Sequence, residues 1–321
     1  MLDAKTARKF ERQAKMLANR VQKRFMHLSK RFARQHIEVF RLYDWDIPEI
    51  RAVVDWYAGH LVVGEYTRRQ SVPEWLPMMG AAVAEVLDVP GAMLHLKERR
   101  AGRQGGKRYE RIDHTDKKIV VSERDLKFLV NPRDYVDTGL FSDHRDTRQM
   151  IREMVGGKDF LNLYCYTATF SCYAALGGAR TTVSVDRSET AIVWARENMV
   201  LNGISAENNT LIKVHTDDFL ERARRQGRRF DLAVVDPPSY STTESRGDAF
   251  DVLTGHVALL EAVTAVMQPG GIVFFSTNHQ AFLPRLDLLG VTAVEEITSR
   301  TIPEDYVHKR KTIHRCWKIV V

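Results

Sequence analysis

The sequence has no apolar run near the roughly 20 residues needed to cross a bilayer, and its start, Met1-Leu2-Asp3-Ala4-Lys5, lacks the apolar core of a signal peptide. Both absences point to a cytoplasmic protein. Cysteine is scarce: Cys165, Cys172 and Cys316 form no CxxC pair, which fits reduced thiols better than a disulfide framework or a zinc site. No metal is expected. Internal repeats and low-complexity stretches are also missing, so neither a solenoid nor a disordered chain is at hand. What is present is 321 residues, 44% of them hydrophobic, enough for one large core or two modest ones.

The net charge of +7 is unevenly spread. Residues 1–41 hold 12 Lys/Arg against 3 Asp/Glu, so this segment carries +9 and the rest about −2. A patch of that kind seeks phosphate, with Lys23 and Arg24 as candidate RNA contacts, unless it is only a solvated helix face. Leu17, Val21, Phe25, Leu28 and Phe32 draw one apolar stripe along that helix. From about residue 38 to 133 short β-like runs follow at 39–43, 61–66, 93–97 and 119–121, interrupted by a helix around 75–87. Between the last two runs lies a Gly- and Arg-rich tip, where Arg100, Arg103 and Lys107 could meet a phosphate backbone or simply line a polar loop.

From about residue 146 helix and strand alternate, and each strand is a near-continuous apolar run, as in a parallel sheet covered on both faces. Strands are expected at 160–164, 182–185, 210–214, 231–235 and 272–276, and helices at 170–176, 189–202, 218–226, 249–267 and 281–289. Two late runs, 291–297 and 312–321, could close the sheet edge.

In such sheets ligands bind beyond the carboxyl ends of the strands. The first strand runs into Tyr164-Cys165-Tyr166-Thr167-Ala168, and Asp186 stands at the tip of the second, in Val185-Asp186-Arg187-Ser188. A carboxylate there can accept two hydrogen bonds from a ribose diol, or can cap the next helix. No glycine lies between Phe160 and Leu176, which argues against a pyrophosphate and for a nucleoside cofactor without one, such as S-adenosylmethionine. At the third strand end Asp217 could accept an adenine amino group and Phe219 could lie on its ring, with capping by Asp217 or Asp218 the alternative.

The fourth strand ends in Asp236-Pro237-Pro238-Ser239-Tyr240. Two prolines remove two backbone donors and fix a wall beside an aromatic ring, a slot for a flat substrate with Asp236 between it and the cofactor. A sulfonium methyl is attacked directly by a lone pair, so proximity would supply most of the acceleration. Methylating C5 of a pyrimidine would need a cysteine thiolate, and none occurs at the ends of the fourth or fifth strands. The three thiols read as packing residues.

The chain resembles the guanine-N7 methyltransferase half of the bacterial 23S ribosomal RNA methyltransferase that, in many bacteria, is fused to an upstream guanine-N2 methyltransferase. The resemblance rests on Ala18-Asn19-Arg20-Val21, on Tyr43-Asp44-Trp45-Asp46-Ile47-Pro48-Glu49 and on the run 134–145, which ends in Gly139-Leu140-Phe141-Ser142-Asp143-His144-Arg145. It continues in Asp159-Phe160-Leu161-Asn162-Leu163-Tyr164, Leu176-Gly177-Gly178-Ala179-Arg180, Asp236-Pro237-Pro238-Ser239-Tyr240-Ser241, Asp248-Ala249-Phe250-Asp251-Val252 and Ile313-His314-Arg315-Cys316-Trp317.

The resemblance implies a class I S-adenosylmethionine methyltransferase, Rossmann-like with a seven-stranded, mostly parallel sheet (135–321). Ahead of it would stand a basic helix (1–40) and a small α+β RNA-binding domain (41–134). It places Phe141, Asp143, His144 and Arg145 over the cofactor, in a set that also takes in Asn162, Tyr164, Tyr166, Thr167, Asp186, Arg187, Ser188, Asn202, Asp217, Asp218, Phe219 and Asp236. Asp236, Pro237, Pro238 and Tyr240 would form the reaction centre, and Ser239, Asn278, His279 and Arg310 would contact the base. Ala168 stands where the family usually has glycine. The chain begins just before the basic helix, so no fused guanine-N2 enzyme is expected. The partner would be 23S rRNA or a large-subunit precursor, its guanine extruded because N7 lies in the deep, narrow major groove of A-form RNA. The rivals are another rRNA atom, such as guanine N2 or cytosine C5, and a non-catalytic RNA-binding assembly factor.

Overall fold

In the computed structural model residues 3–100, 111–241 and 250–321 are described. The chain divides into two compact units, Met1–Thr138 and Gly139–Val321. The first opens with helix α1 (Ala4–Arg34), capped by Asp3, whose Oδ1 accepts from the amides of Lys5 and Thr6 at 2.9 and 3.0 Å. The helix buries Phe10, Ala14, Leu17, Val21, Leu28 and Phe32, and Arg31 and Arg34 in its last turn complement its dipole. Strands β1 (Val39–Asp44), β2 (Ala52–Tyr57) and β3 (His60–Thr67) form an antiparallel meander, and helix α2 (Trp75–Val86) crosses over to β4 (Leu94–Arg100), parallel to β3. The hydropathy pattern does not announce β2, because its run is broken by Asp55, which lies opposite Arg41 and pairs with it at 2.7 Å inside the fold. A two-stranded sheet, β5 (Ile119–Glu123) with β6 (Leu126–Val130), completes this unit. The basic helix is part of this unit's core rather than a separate element, since its stripe packs with Phe40, Leu42, Val54, Leu61 and Met79.

The second unit holds α3 (Arg145–Met154), β7 (Asp159–Leu163), α4 (Thr169–Leu176), β8 (Thr181–Asp186), α5 (Glu189–Leu201), β9 (Asn209–Lys213), α6 (Thr216–Arg225) and β10 (Phe230–Val235). The small pair β11 (Tyr240–Ser241) and β12 (Phe250–Asp251) follows, then α7 (Val252–Thr264), β13 (Met267–Thr277), β14 (Ala293–Glu296), α8 (Thr298–Thr301) and β15 (Arg315–Val320). Seven strands form one sheet in the order β14-β15-β13-β10-β7-β8-β9, parallel except for β15, which runs antiparallel to both neighbours. Strand order reverses between β7 and β10, the place where such sheets open a ligand crevice.

One expected helix fails locally, and one observed helix has no signal in the pattern. The segment 281–289 is not a helix but a turn with a single 3-10 stretch at Leu286–Leu288, because Pro284 has no amide hydrogen and its ring disfavours helical geometry at Leu283. Helix α3 escapes the periodicity because its buried face is Arg145, Thr147, Arg148 and Ile151, three polar residues to one apolar. Arg103 and Lys107, the side chain of Arg100, and the start of the helix expected from Ala249 lie outside the described residues.

Candidate active site

The turn after β7 holds three non-glycine residues in the left-handed region, Tyr164 (φ +56°), Tyr166 (+49°) and Ala168 (+57°). Each stores on the order of 1 kcal/mol of strain, which only surrounding contacts can hold. Those contacts are specific. The Cys165 amide donates to the Val185 carbonyl, Thr167 Oγ1 to the Gly139 carbonyl at 2.6 Å, and Asn198 Nδ2 to the Thr167 carbonyl at 3.0 Å. Ala168 at φ +57° also gives the physical reason for glycine in the similar family.

Asp186, at the tip of β8, is nearly buried. Its Oδ2 accepts from the Tyr166 amide at 3.0 Å and its Oδ1 from the Ser188 amide at 2.9 Å, so the carboxylate ties the strained turn to the start of α5. Burial pushes its pKa up. The cap of α5 is Ser188, whose Oγ accepts from the Ala191 amide, so Asp186 is not the capping residue. Each carboxylate oxygen has lone-pair capacity left for a diol, and the glycine-free turn beside it suits a nucleoside better than a pyrophosphate.

At the ends of β10, β13 and β15 a second cluster forms. Asp236 Oδ1 accepts from Ser276 Oγ at 2.6 Å, and Asp236 Oδ2 lies 3.7 Å from His144 Nε2. Asp143 Oδ2 is 3.1 Å from His314 Nδ1, whose other nitrogen meets Thr301 Oγ1 at 3.1 Å. The His144 and His314 rings stack at 4.1 Å and 11°. Donor atoms of Asp143, His144 and His314 lie within 4.8 Å of one another, a spacing that could hold a metal ion. The ring geometry opposes it, since parallel imidazoles direct their in-plane lone pairs side by side rather than to one point. Further out, Ser239 Oγ donates to Asn278 Oδ1 at 2.5 Å, and Tyr240 stands 39% exposed.

Burial and the neighbouring His314 push His144 down to about 3, so it is neutral at physiological pH. Its folded pKa lies below the ordinary 6.5, so in the window between 6.5 and 3 the unfolded chain binds the extra proton, and stability is lost as pH falls through that window. At pH 5 the loss is about 2 kcal/mol. Chemical unfolding at pH 7.5 and pH 5 is expected to show it in the wild type and less of it in His144→Gln.

Several of the expected contact residues also have places in the framework of the fold, and others stand exposed. Phe219 is buried against Phe230 in the core, which withdraws it from stacking on an adenine. Arg145 is committed to Asp305 in a buried ion pair at 2.5 Å. Asn162 donates to Ser171 Oγ beneath the turn, and Asn202 caps the end of α5 by donating to the Asn198 carbonyl. Asp217 and Asp218 sit within the first turn of α6 behind the cap residue His215, where they favour the helix dipole. Arg187 and Arg310 are exposed, and His279 Nδ1 accepts from the Ala281 amide. Asn198 and His314 join the site without a signal in the sequence: only a helical position marks Asn198, and His314 reads as a core residue of the last strand. All three cysteines are buried with thiol pKa values raised by burial, Cys172 up to about 12, so none offers a thiolate at neutral pH.

The family and the fold are shown by likeness to known proteins. A family model described as S-adenosylmethionine-dependent methyltransferase matches residues 110–308. The chain is 38% identical over 307 residues to ribosomal RNA large subunit methyltransferase K of Neisseria meningitidis, covering 94% of this chain and 86% of that protein. It is 39% identical to the K/L methyltransferase of Psychromonas ingrahamii over 95% of this chain, but spans only 41% of that longer protein. A solved methyltransferase complexed with SAH superposes with TM-score 0.79 at 20% identity, covering 96% of this chain and 82% of that one, a likeness of fold. Another, from Agrobacterium tumefaciens, gives 0.60 at 18% over 88% and 90%. On this family match and these relatives, the chain belongs to the S-adenosylmethionine-dependent methyltransferases, in the group of the ribosomal RNA large subunit methyltransferases K and K/L.

Proposed function

We propose that the chain methylates large-subunit ribosomal RNA, at guanine N7, and acts in the cytoplasm. The observation that carries the reading is the pairing, on one sheet edge, of the Asp186-braced turn with the rigid Asp236-Pro237-Pro238 corner and the exposed ring of Tyr240. The RNA class comes from the relatives, and the basic helix supports it. When bound, S-adenosylmethionine supplies an electrophilic methyl group. Asp186 receives the ribose hydroxyls, Tyr164, Tyr166 and Thr167 frame the turn, and Phe141, 40% exposed, lies beside Tyr166 at 5.4 Å to cover the cofactor. Asp143 and His144 hold the corner from the opposite side.

The target base stacks on Tyr240 and is held by Ser239, Asn278 and the Asp-Pro-Pro corner, with His279 and Arg310 nearer the RNA strand. Lys23 and Arg24 contact phosphates. Guanine N7 carries a lone pair and no proton, so Asp236 orients and no side chain takes a proton. This agrees with thiols that burial keeps protonated and a histidine that stays neutral. A second reading, a guanine amino group as acceptor, has one observation in its favour: the Asp236 carboxylate beside neutral His144 could take up a released proton.

Incubation with labelled S-adenosylmethionine and unmodified large-subunit rRNA is expected to give stoichiometric methyl incorporation at one site. No incorporation under conditions where the cofactor binds would sink the enzymatic reading and leave an assembly factor.

A further inference from the structure

The N-terminal unit carries a pocket of 370 Å³ between the C-terminal half of α1 and the strands beside it. Small-ligand pockets run from about 300 to 1,000 Å³. Its walls include Phe25, Ser29 and Ala33 from one line of α1, Phe40 from β1, Trp56 from β2 and Glu38 from the connecting turn. Three of these are aromatic and in mutual contact: Phe25 to Trp56 at 4.7 Å, Phe25 to Phe40 at 6.3 Å and Phe40 to Trp56 at 6.4 Å. Phe40 is buried, whereas Phe25 and Trp56 are only half-buried and present ring surface to the opening.

A core gap would be lined by aliphatic side chains and closed. This one is open, aromatic and flanked by positive charge. Exposed Lys23 and Lys30 lie in the same turns of α1 as Phe25 and Ser29, on the solvent side of the line through Phe25, Ser29 and Ala33. Aromatic faces next to a cationic track are what single-stranded RNA asks for, because every base has a π-face and every linkage a phosphate. Glu38 adds an acceptor. Its Oε2 accepts from the Ser122 amide at 2.7 Å, which holds the side chain at the rim while Oε1 can receive a base N–H.

We propose that this pocket takes one unpaired base of the RNA substrate, stacked on Trp56 and Phe25, while α1 tracks the phosphates. It is a site remote in sequence from the methyl-transfer residues, and it rests on the RNA-substrate reading above. Its contribution would be to grip an unpaired strand independently of the base that is methylated.

The test uses the full chain and two fluorescein-labelled probes, oligoriboadenylate of 12 nucleotides and a phosphodiester 12-mer of equal charge without bases, by anisotropy at low salt. The wild type is expected to bind the base-bearing probe about tenfold more tightly than the abasic one, within the range of base–aromatic stacking. Trp56→Leu should erase that difference, keep the salt slope and leave S-adenosylmethionine affinity unchanged, while an unchanged circular dichroism spectrum and two-unit thermal melt report that the N-terminal unit around Trp56 is folded. Equal affinity of the wild type for both probes would overturn the pocket while leaving the RNA reading intact. If neither probe binds, both fall.

Discussion

Asp186→Ala should raise the dissociation constant for S-adenosylmethionine at least tenfold, about 1.4 kcal/mol, as read by calorimetry. The cause is local. The nearly buried carboxylate is held by the Tyr166 and Ser188 amides, which fix its plane while each oxygen keeps lone-pair capacity for a diol hydroxyl. Hydrogen bonds to a charged group contribute about 1.5–3 kcal/mol each, so two lost bonds put tenfold at the lower end. The variant also leaves two amides unpaired, Tyr166 in the strained turn and Ser188 at the start of α5, so Asp186→Asn is the control: it keeps one acceptor and should fall between. Unchanged affinity in both variants would mean that Asp186 only braces the turn.

The second large effect falls on chemistry rather than binding. Asp236→Ala is expected to lower kcat by roughly 10²-fold or more, the range seen when one preorganised polar group is removed, with cofactor affinity within about threefold. Pro237 and Pro238 fix the backbone, Ser276 fixes the carboxylate from one side at 2.6 Å, and His144 stands 3.7 Å away on the other. If the acceptor is guanine N7, nothing ionises in the step, and the kcat profile should be level from pH 6 to 8. A profile rising with one apparent pKa in that range would assign Asp236 or His144 to proton transfer and favour the amino-group reading.

How far these sites can be read in the sequence depends on what kind of interaction makes them. The parallel strands are legible because both faces are covered, so the apolar runs are continuous: β8 and β10 each bury five of six residues. The β8 aspartate and the β10 prolines are legible because each is a backbone device at a strand end. Helix α3 is not, since Arg148 is fully buried with Nη1 on the Phe141 carbonyl and its guanidinium over Phe170 and Tyr173, which no hydrophobic period can signal. Nor are His314 and Asn198, whose meaning lies in partners far along the chain: Asp143 for the histidine, Thr167 for the asparagine. Phe219 shows the converse error, an aromatic at the right strand end that the core claims.

The most direct test of the central claim is chemical mapping of the methylated product. Unmodified large-subunit rRNA incubated with the protein and S-adenosylmethionine, then treated with borohydride and aniline, should break at a single guanosine, as 7-methylguanosine does. Labelled methyl incorporated into RNA that stays intact would contradict the N7 assignment and move the reaction to another atom.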